Sequence, residues 1–463
     1  MSEPTADNVH ETVVTALATL TRFTSKLEWD DLPDEVRGRA AQVFCDDLAA
    51  LIVAADEPEL KAMRELLSKS SGAGEATVFD GTKPQRRFDR YSAALANGTA
   101  ADWAELDGGY RAVVCHAALY CIPALLAEAE ATGKTVRDLL LALVAGYETV
   151  ARIAHAFSFP GLTLHPHGGL ATVGAAAAVA KLRGVDAETA SRAIATAATL
   201  CLPGPFNHAV TGALIRNVWP GLCAQNGIRA VDWAPLGIVG SPRSLTQVFA
   251  DIMGGTTAPA EIDRDLGSRW LILGGYHKMH ACCQYAHSTV EAVLDALRGE
   301  EVSADRIESI VVATHWKGRK LDNAQPQTSL AAKFSIQHIA AATLLHGHAG
   351  ASAFAAETLS DPTMATLRDL VRIEAYPQEM EWPNDRPSSV SITVAGGQML
   401  HGTCLSAPGG EDQPFSPEQL EAKMLGNAGA FYPASRSVLI PILRLEPTML
   451  ERSWADAVRT MVA

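Results

Sequence analysis

The sequence reads Glu105-Leu-Asp-Gly-Gly-Tyr-Arg-Ala-Val-Val-Cys-His116 in one place and Leu164-His-Pro-His-Gly-Gly169 in another, and each stretch leads directly into an apolar, alanine-rich segment. Alanine-rich segments favour helices that pack closely, so each stretch is predicted to lie where a buried helix begins. A carboxylate, several imidazoles and a glycine-loosened backbone at the start of core helices are typical of proton transfer to a small molecule. For either stretch alone, a loop whose polar groups are simply hydrogen-bonded is an equally good interpretation.

Helical periodicity extends outward from these two stretches over most of the first 270 residues. Apolar side chains recur at spacings of three and four from Val13 to Leu20 and again from Leu139 to Tyr147. Glycine and proline clusters such as Leu202-Pro-Gly-Pro205 interrupt the pattern. Helical spacing returns after Ser416-Pro-Glu-Gln419, so the C-terminal segment is predicted to pack back on the first domain.

The pattern changes after about residue 272. Apolar and polar residues alternate as in strands from Ile307 to His315 and from Ser388 to Val394. Apolar residues recur at helical spacing from His287 to Leu297 and from Phe334 to Leu345. Ala395-Gly-Gly397 indicates a hairpin turn into a further strand from Met399 to Leu405. The predicted fold is therefore mainly α, with a large all-helical domain (1–271 and 414–463) and a smaller α+β domain (272–413).

Composition and charge narrow the class of protein. A hydrophobic content of 48% with 19% charged residues is that of a globular chain. The net charge of -14 disfavours nucleic acid and anionic membranes as partners, so an anionic substrate must be held by local cations. Eight cysteines without a CxxC pair predict reduced thiols. Residues 1–30 contain no continuous apolar signal segment, so a cytoplasmic protein without a membrane partner is expected.

Common cofactor motifs do not appear in the sequence. No GxGxxG follows a predicted strand, and Gly133-Lys-Thr135 lacks the upstream glycine of a phosphate-binding loop. His165-x-His167 and His346-x-His348 have the types of side chain that bind metals, but no carboxylate or thiol follows at a diagnostic spacing. A metal site is therefore the weaker alternative, and no nucleotide is expected.

Two further segments combine cations with a predicted boundary. Arg216-Asn-Val-Trp-Pro-Gly221 places a guanidinium just before a proline-glycine pair that is predicted to begin a helix, which favours carboxylate binding over a surface role. Tyr276 to His287 contain one lysine, three histidines, two cysteines and two tyrosines where the two predicted domains meet. Such a density of titratable groups indicates a site in a cleft, although one or two of the histidines are expected to be structural.

Six motifs follow one another along the chain, within a resemblance that spans roughly residues 10 to 450: Ala96-Asn-Gly98, Glu105-Leu-Asp107 with His116, His165-Pro-His-Gly-Gly169 with Gly174-Ala-Ala-Ala-Ala178, Arg216 to Gly221, Lys278 to His287, and Lys333-Phe-Ser335. Their order and spacing resemble the MmgE/PrpD family. The resemblance implies a helical domain with an α+β lid, a homodimer, and an active site in the cleft between the domains without a metal or an organic cofactor.

The resemblance also implies roles for particular residues. Asp107 corresponds to the first acidic residue of the family's acidic loop and His116 to the histidine that closes it. His165 corresponds to a second histidine of the catalytic region, and Lys278 to a lid lysine that contacts a substrate carboxylate. Arg216 stands where relatives commonly carry lysine, and arginine binds a carboxylate as a flat, two-pronged donor.

The acidic loop departs from the family's pattern. The family usually has further acidic residues and a threonine or serine after the first aspartate, then His-Pro, whereas this chain has Asp107-Gly-Gly-Tyr110 and His116-Ala117. A carboxylate substrate is still expected, but not a particular one.

These residues predict a mechanism. Arg216 and Lys278 would bind a substrate carboxylate and stabilise developing negative charge, while His116 and His165 would act as base and acid. Asp107 would orient one imidazole or carry a proton itself.

Tyr110 and His280 are additional candidates for substrate contact. The predicted function is that of a cofactor-independent lyase acting on a small polycarboxylate, most similar to 2-methylcitrate dehydratase. A decarboxylase or an epimerase is the close alternative because all three reactions pass through a similarly stabilised carbanion. A non-catalytic carboxylate-binding relative is the alternative from a different class.

Overall fold

Helices make up most of the protein in a computed structural model that describes residues 6–300 and 302–463, which confirms the prediction of a mainly α fold. The first five residues of the stretch considered for a signal segment lie outside the described ranges. The helices are α1 (Ala6–Lys26), α2 (Asp34–Ile52), α3 (Pro58–Ser68), α4 (Arg90–Ala101), α5 (Ala117–Thr132), α6 (Val136–Ala156), α7 (Pro166–Arg183), α8 (Ala187–Thr199), α9 (Asn207–Thr211), α10 (Ile215–Trp233), α11 (Ser244–Thr246), α12 (His287–Ala296), α13 (Ser329–Lys333), α14 (Ile336–His346), α15 (Ala356–Leu359), α16 (Pro362–Asp369), α17 (Pro417–Gly429), α18 (Arg436–Leu443), α19 (Pro447–Leu450) and α20 (Trp454–Val462).

The strands fall into one main sheet and three short pairs. They are β1 (Ala76–Thr77), β2 (Arg87–Phe88), β3 (Gly109–Tyr110), β4 (Phe157–Ser158), β5 (Thr256–Thr257), β6 (Gly275–Tyr276), β7 (Ile307–Thr314), β8 (Val371–Ala375), β9 (Ser388–Val394) and β10 (Gln398–Cys404). The main sheet has the order β10-β9-β7-β8, in which only β7 and β8 run parallel.

The central helix is α7, which packs against α5, α6 and α10. Pro166 occupies its first turn, and Gly184 ends it in the left-handed conformation with φ 69°. His165 is the N-cap residue of α7 and His116 is the N-cap residue of α5. Both histidines therefore stand where buried helices begin, as the alanine-rich segments indicated.

Small residues allow the core helices to approach closely. A Cβ atom on Gly98 of α4 would lie 2.6 Å from the Cα atom of Gly221 in α10. On the other side of α10, a Cβ atom on Gly227 would lie 2.4 Å from the Cβ atom of Ala175 in α7. These contacts bring the end of α4 close to the first turn of α10, where charged side chains meet.

The main sheet confirms the strands predicted at residues 307–315 and 388–394 and the hairpin that follows. The sequence analysis missed β8. This strand lies at the edge of the sheet and exposes three of its five residues. Its sequence therefore lacks the regular alternation of apolar and polar residues that predicts a strand. α12 packs on β9 and β10, and α14 packs on β8.

Two clusters of buried apolar residues support the two parts of the chain. One lies among the helices and includes Leu420, Val438 and Trp454 from the C-terminal segment, so that segment returns to the helical part. The other lies around the main sheet. The boundaries predicted near residues 272 and 413, and any lid motion, stay predictions.

One helix, α6, is long and apolar enough to cross a membrane by composition alone. In the structure 94% of its apolar window is buried inside the protein. Its hydrophobicity is therefore that of a core helix.

The contact between α4 and α10 leaves no room for a methyl group. We expect Gly221→Ala to push the two helices apart and to lower the free energy of unfolding by about 1 to 3 kcal/mol, measured by denaturant titration. Gly426→Ala in α17 is the matched control because nothing lies within 4 Å of the added atom. The control should be neutral or slightly stabilising, since alanine favours the helix. Equal effects of the two variants would contradict the packing argument.

Candidate active site

Three buried carboxylates lie at the end of α4 and in the loop that follows it. Asp102 is the C-cap residue of α4, and Glu105 and Asp107 follow within five residues. Each side chain offers an oxygen atom within 4.8 Å of the others. Glu105 has a left-handed backbone with φ 54°, which is uncommon for a residue other than glycine and turns the loop back toward Asp102.

Two buried cations neutralise these carboxylates. Arg216, in the first turn of α10, donates through Nη1 to both Asp102 and Glu105. Lys278 Nζ lies 3.2 Å from Glu105 Oε2 and 3.3 Å from Asp107 Oδ1. Charges removed from water are tolerated only when they are paired and hydrogen-bonded, and this arrangement meets that condition.

The protonation states follow from burial and from the position of the cations. Burial raises the pKa of Asp102 well above its ordinary value, and Arg216 offsets this only in part. Burial would also raise the pKa values of Glu105 and Asp107, but nearby cations outweigh this effect. Arg216 and Lys278 lower the pKa of Glu105, and Lys278 and His116 lower the pKa of Asp107. The two cations thus lower the pKa values of Glu105 and Asp107, while burial dominates at Asp102.

A short strand pair holds Lys278 against the acidic loop. β3 pairs antiparallel with β6, so that Gly109 faces Tyr276. A Cβ atom on Gly109 would lie 2.5 Å from the Tyr276 hydroxyl oxygen, so a side chain at this position would displace the ring. The glycines after Asp107 therefore let the strand that precedes Lys278 lie directly on the loop.

His116 and Asp107 form a pair that opens on a cavity. His116 Nδ1 lies 2.6 Å from Asp107 Oδ2. An ionised carboxylate only accepts, so Nδ1 carries a proton, and in the neutral imidazole Nε2 carries the lone pair. No group among the described residues hydrogen-bonds to Nε2, and His116 lines the cavity. His116 is thus oriented to exchange a proton with a bound molecule.

His165 is differently placed. Its Nε2 faces Arg216 Nε at 3.2 Å, and its Nδ1 faces the His167 backbone N–H at 3.3 Å. A neutral imidazole has one acceptor nitrogen, so only one of these contacts is a hydrogen bond, and in either tautomer a protein donor faces the lone pair. Burial and the neighbouring Arg216 hold the pKa of His165 well below its ordinary value. His116 is therefore the stronger candidate for the base.

The cavity is small, with a volume of about 40 Å³. That is room for roughly three water molecules. Its walls combine the charged cluster with aromatic and polar side chains: Glu105, Tyr110, Val113, Val114, Cys115, His116, His165, Pro166, Phe206, Arg216, Tyr276, Lys278, Cys283, Gln284, Tyr285, Phe334 and Arg386. A six-carbon acid enters only if some of these side chains move apart.

The structure brings five of the predicted site residues together: Asp107, His116, His165, Arg216 and Lys278. The expectation that a helix begins at Pro220-Gly221 was wrong. α10 begins at Ile215 and continues through Pro220, because Gly221 packs against α4 and holds the helix in place.

The remaining two candidates lie differently. Tyr110 lines the cavity, but its hydroxyl oxygen lies 3.0 Å from His155 Nε2. The structure does not bring His280 to the cavity. Its Nε2 lies 2.7 Å from Glu291 Oε1, and its ring packs on His287.

Sequence reasoning missed several residues of the site. Asp102 and His167 are fully buried, and His167 Nε2 lies 3.2 Å from Asp102 Oδ1. Three carboxylates within six residues of an otherwise apolar stretch were the signal for Asp102. Arg386, which lines the opposite wall, follows a loop with no distinguishing motif.

Buried charges around a small cavity, in a mainly helical fold with one four-stranded sheet, are typical of small-molecule sites. Two family models match the chain: the MmgE/PrpD N-terminal domain over residues 18–259 and the MmgE/PrpD C-terminal domain over residues 280–445. The protein belongs to the MmgE/PrpD family.

Curated relatives align over most of their length. The cis-aconitate decarboxylase-like protein oryM of Aspergillus oryzae is 24% identical over 475 residues, which cover 96% of each chain. Cis-aconitate decarboxylase of Aspergillus terreus is 24% identical over 469 residues, covering 94% of this chain and 93% of the relative. The human cis-aconitate decarboxylase is 25% identical over 424 residues, covering 86% and 84%.

Removal of the Lys278 charge should destabilise the fold. We expect Lys278→Met to lower the free energy of unfolding at pH 7 by about 3 to 5 kcal/mol, because it leaves Glu105 and Asp107 with too little compensating charge. Their lowered pKa values stabilise the wild-type fold above the unfolded values of about 4, and this contribution is lost at lower pH. Without Lys278 those pKa values rise, so the difference between variant and wild type should shrink from pH 7 toward pH 5.

A double variant provides the control. Lys278→Met combined with Asp107→Asn removes one charge of each sign and should recover part of the stability in the same denaturant titration. A Lys278→Met protein that is as stable as the wild type at pH 7 would mean that the ion pair is not buried as described.

Proposed function

We propose that this protein is a lyase that acts on a small polycarboxylate at a carbon next to a carboxylate. The observation that carries the proposal is the Asp107–His116 pair, which presents an imidazole lone pair to a cavity that also contains Arg216 and Lys278. Family membership and the full-length cis-aconitate decarboxylase relatives support the reaction class. The proposed site uses protein side chains alone.

His116 Nε2 is the proposed site of proton transfer. Asp107 keeps the proton on Nδ1 and stabilises the imidazolium when Nε2 gains a second proton. Negative charge that develops on the substrate spreads onto its carboxylate oxygens. Lys278 has a third N–H beyond its two contacts, and no acceptor among the described residues contacts Arg216 Nη2, so both cations can still donate to such an oxygen.

Two lyase reactions fit this arrangement. In a decarboxylation, His116 starts as the imidazolium: the C–C bond to a carboxylate breaks, CO₂ leaves, and Nε2 gives its proton to the carbanion carbon and later regains one from water. In a dehydration like that of 2-methylcitrate dehydratase, neutral His116 removes the proton from carbon, and the neighbouring hydroxyl leaves as water with the proton that the His116 imidazolium passes on. The names of the relatives favour decarboxylation, in which His116 gives a proton to carbon, over dehydration, in which it removes one.

Access to the cavity requires motion. A volume of about 40 Å³ does not hold a polycarboxylate, so we propose that the α+β part opens from the helical part as a lid. Lys278, Gln284 and Arg386 would then move relative to His116 and Arg216. Closure would exclude water and strengthen every charge interaction in the site.

Incubation with candidate acids in deuterated water tests the reaction class. We expect the wild type either to convert cis-aconitate into CO₂ and a five-carbon unsaturated dicarboxylate, or to form an unsaturated acid of unchanged carbon count from a hydroxy polycarboxylate. Proton NMR and mass spectrometry identify the product. His116→Asn should lose at least about 10²-fold in kcat. His10→Asn, a half-buried histidine of α1, is the control and should stay active. Deuterium exchange without elimination would indicate an epimerase, and binding without turnover a non-catalytic relative.

Asp107→Asn tests how His116 is activated. An amide can bind either imidazole tautomer and carries no charge, so kcat should fall by about 10² to 10⁴ while KM changes much less. Steady-state kinetics on the substrate identified above measure both constants. Asp232→Asn is the control, because Asp232 accepts hydrogen bonds from Arg183 and Tyr91 and does not line the cavity. This variant should keep kcat near the wild-type value. A small loss in Asp107→Asn would favour a purely structural role for this carboxylate.

A further inference from the structure

The cavity has a second cationic wall that the mechanism above does not use. Arg386, just before β9, and Gln284, just before α12, line the cavity. Both belong to the α+β part of the chain, whereas His116 and Arg216 belong to the helical part. Arg386 is 5% exposed, so its charge is nearly as buried as those of the catalytic cluster.

Arg386 has hydrogen-bond donors to spare. Its Nη1 donates to Gln284 Oε1, and its Nη2 donates to the Arg111 carbonyl oxygen at 2.9 Å. Its Nε lies 3.4 Å from Asp385 Oδ2 but makes no hydrogen bond among the described residues. A guanidinium has five N–H donors, so three are unused in this arrangement.

The charges around Arg386 do not balance. Three cations, Arg111, Lys317 and Arg386, share two carboxylates, Asp385 and Asp412. Burial and the nearby charge of Arg386 lower the pKa of Lys317 to about 8, and the same two causes lower the pKa of Arg111. This wall therefore carries a surplus of positive charge.

The wall around the acidic loop differs in this respect. There Arg216 and Lys278 are already paired with three carboxylates, Asp102, Glu105 and Asp107. A substrate that carries two or three negative charges thus finds its strongest unmatched attraction at Arg386. Tyr276 also lines the cavity, and Lys278 and Arg386 both oppose the increase in its pKa that burial causes.

We propose that Arg386, with Gln284 and Tyr285, forms a second carboxylate subsite that selects acids with at least two carboxylates. One carboxylate lies near Lys278 and Arg216, where the reaction takes place, and another binds the guanidinium of Arg386. Arg386 packs over the Tyr285 ring, with Cζ 5.2 Å from the ring centroid, which fixes the plane of the guanidinium for a two-pronged contact. This inference rests on the proposed function for its substrate class, but it concerns binding.

Isothermal titration calorimetry with three acids tests the subsite. Cis-aconitate, maleate and crotonate carry three, two and one carboxylates, and the wild type should bind them in that order. Arg386→Met should weaken binding of cis-aconitate and maleate by about 10-fold or more, while binding of crotonate changes little. Arg368→Met is the control, because Arg368 is also a buried arginine of the α+β part but does not line the cavity.

Gln284→Glu provides a second variant if Arg386→Met folds poorly. It keeps the arginine and the shape of the side chain but places a carboxylate beside the guanidinium, so it should also weaken cis-aconitate more than crotonate. The subsite would be overturned if each of the three acids bound the Arg386→Met and Gln284→Glu variants as tightly as it binds the wild type. It would also be overturned if the wild type bound none of the acids. If the variants lose affinity selectively for the acids with two or three carboxylates but the wild type turns over none of them, the subsite is supported and the lyase proposal is contradicted.

Discussion

Mutual neutralisation of buried charges is the constraint on which the site depends. Arg216 and Lys278 are nearly inaccessible to water, and so are the three carboxylates that face them. Removal of either cation would leave carboxylate charge in a medium that solvates it poorly. The cluster therefore fixes the relative positions of α4, α10 and the segment after β6, and these are the elements that surround the cavity.

Small residues make that arrangement possible. α4 and α10 meet glycine on glycine, and α10 meets α7 through Gly227 and Ala175, so the backbones lie closer than larger side chains permit. Helix α17 adds a second fixation, since Lys423 Nζ lies 2.7 Å from Asp46 Oδ1 and 3.1 Å from the Leu106 carbonyl oxygen. The acidic loop is thereby held from both sides.

The cavity divides its charge between two walls. One wall holds Arg216 and Lys278, which pair with the acidic loop, and carries the Asp107–His116 pair, which suits it to proton transfer. The other wall carries the guanidinium of Arg386, which has unused donors and suits it to binding. An acid with a single carboxylate would leave one wall unsatisfied.

The sequence by itself determined the mainly α class, the strands β7, β9 and β10, and five residues that meet in or beside the cavity, because periodicity and glycine-flanked polar motifs are local properties. Tertiary structure decided the rest. Asp102 contacts Arg216 across 114 positions of the chain, and that distance in sequence leaves no local signal. His280 turns to Glu291 although Lys278, two residues earlier, enters the cluster, because each side chain follows the partner that packing offers. The unmatched charge of Arg386 likewise exists only once Arg111, Lys317 and Asp385 have been brought together by the fold.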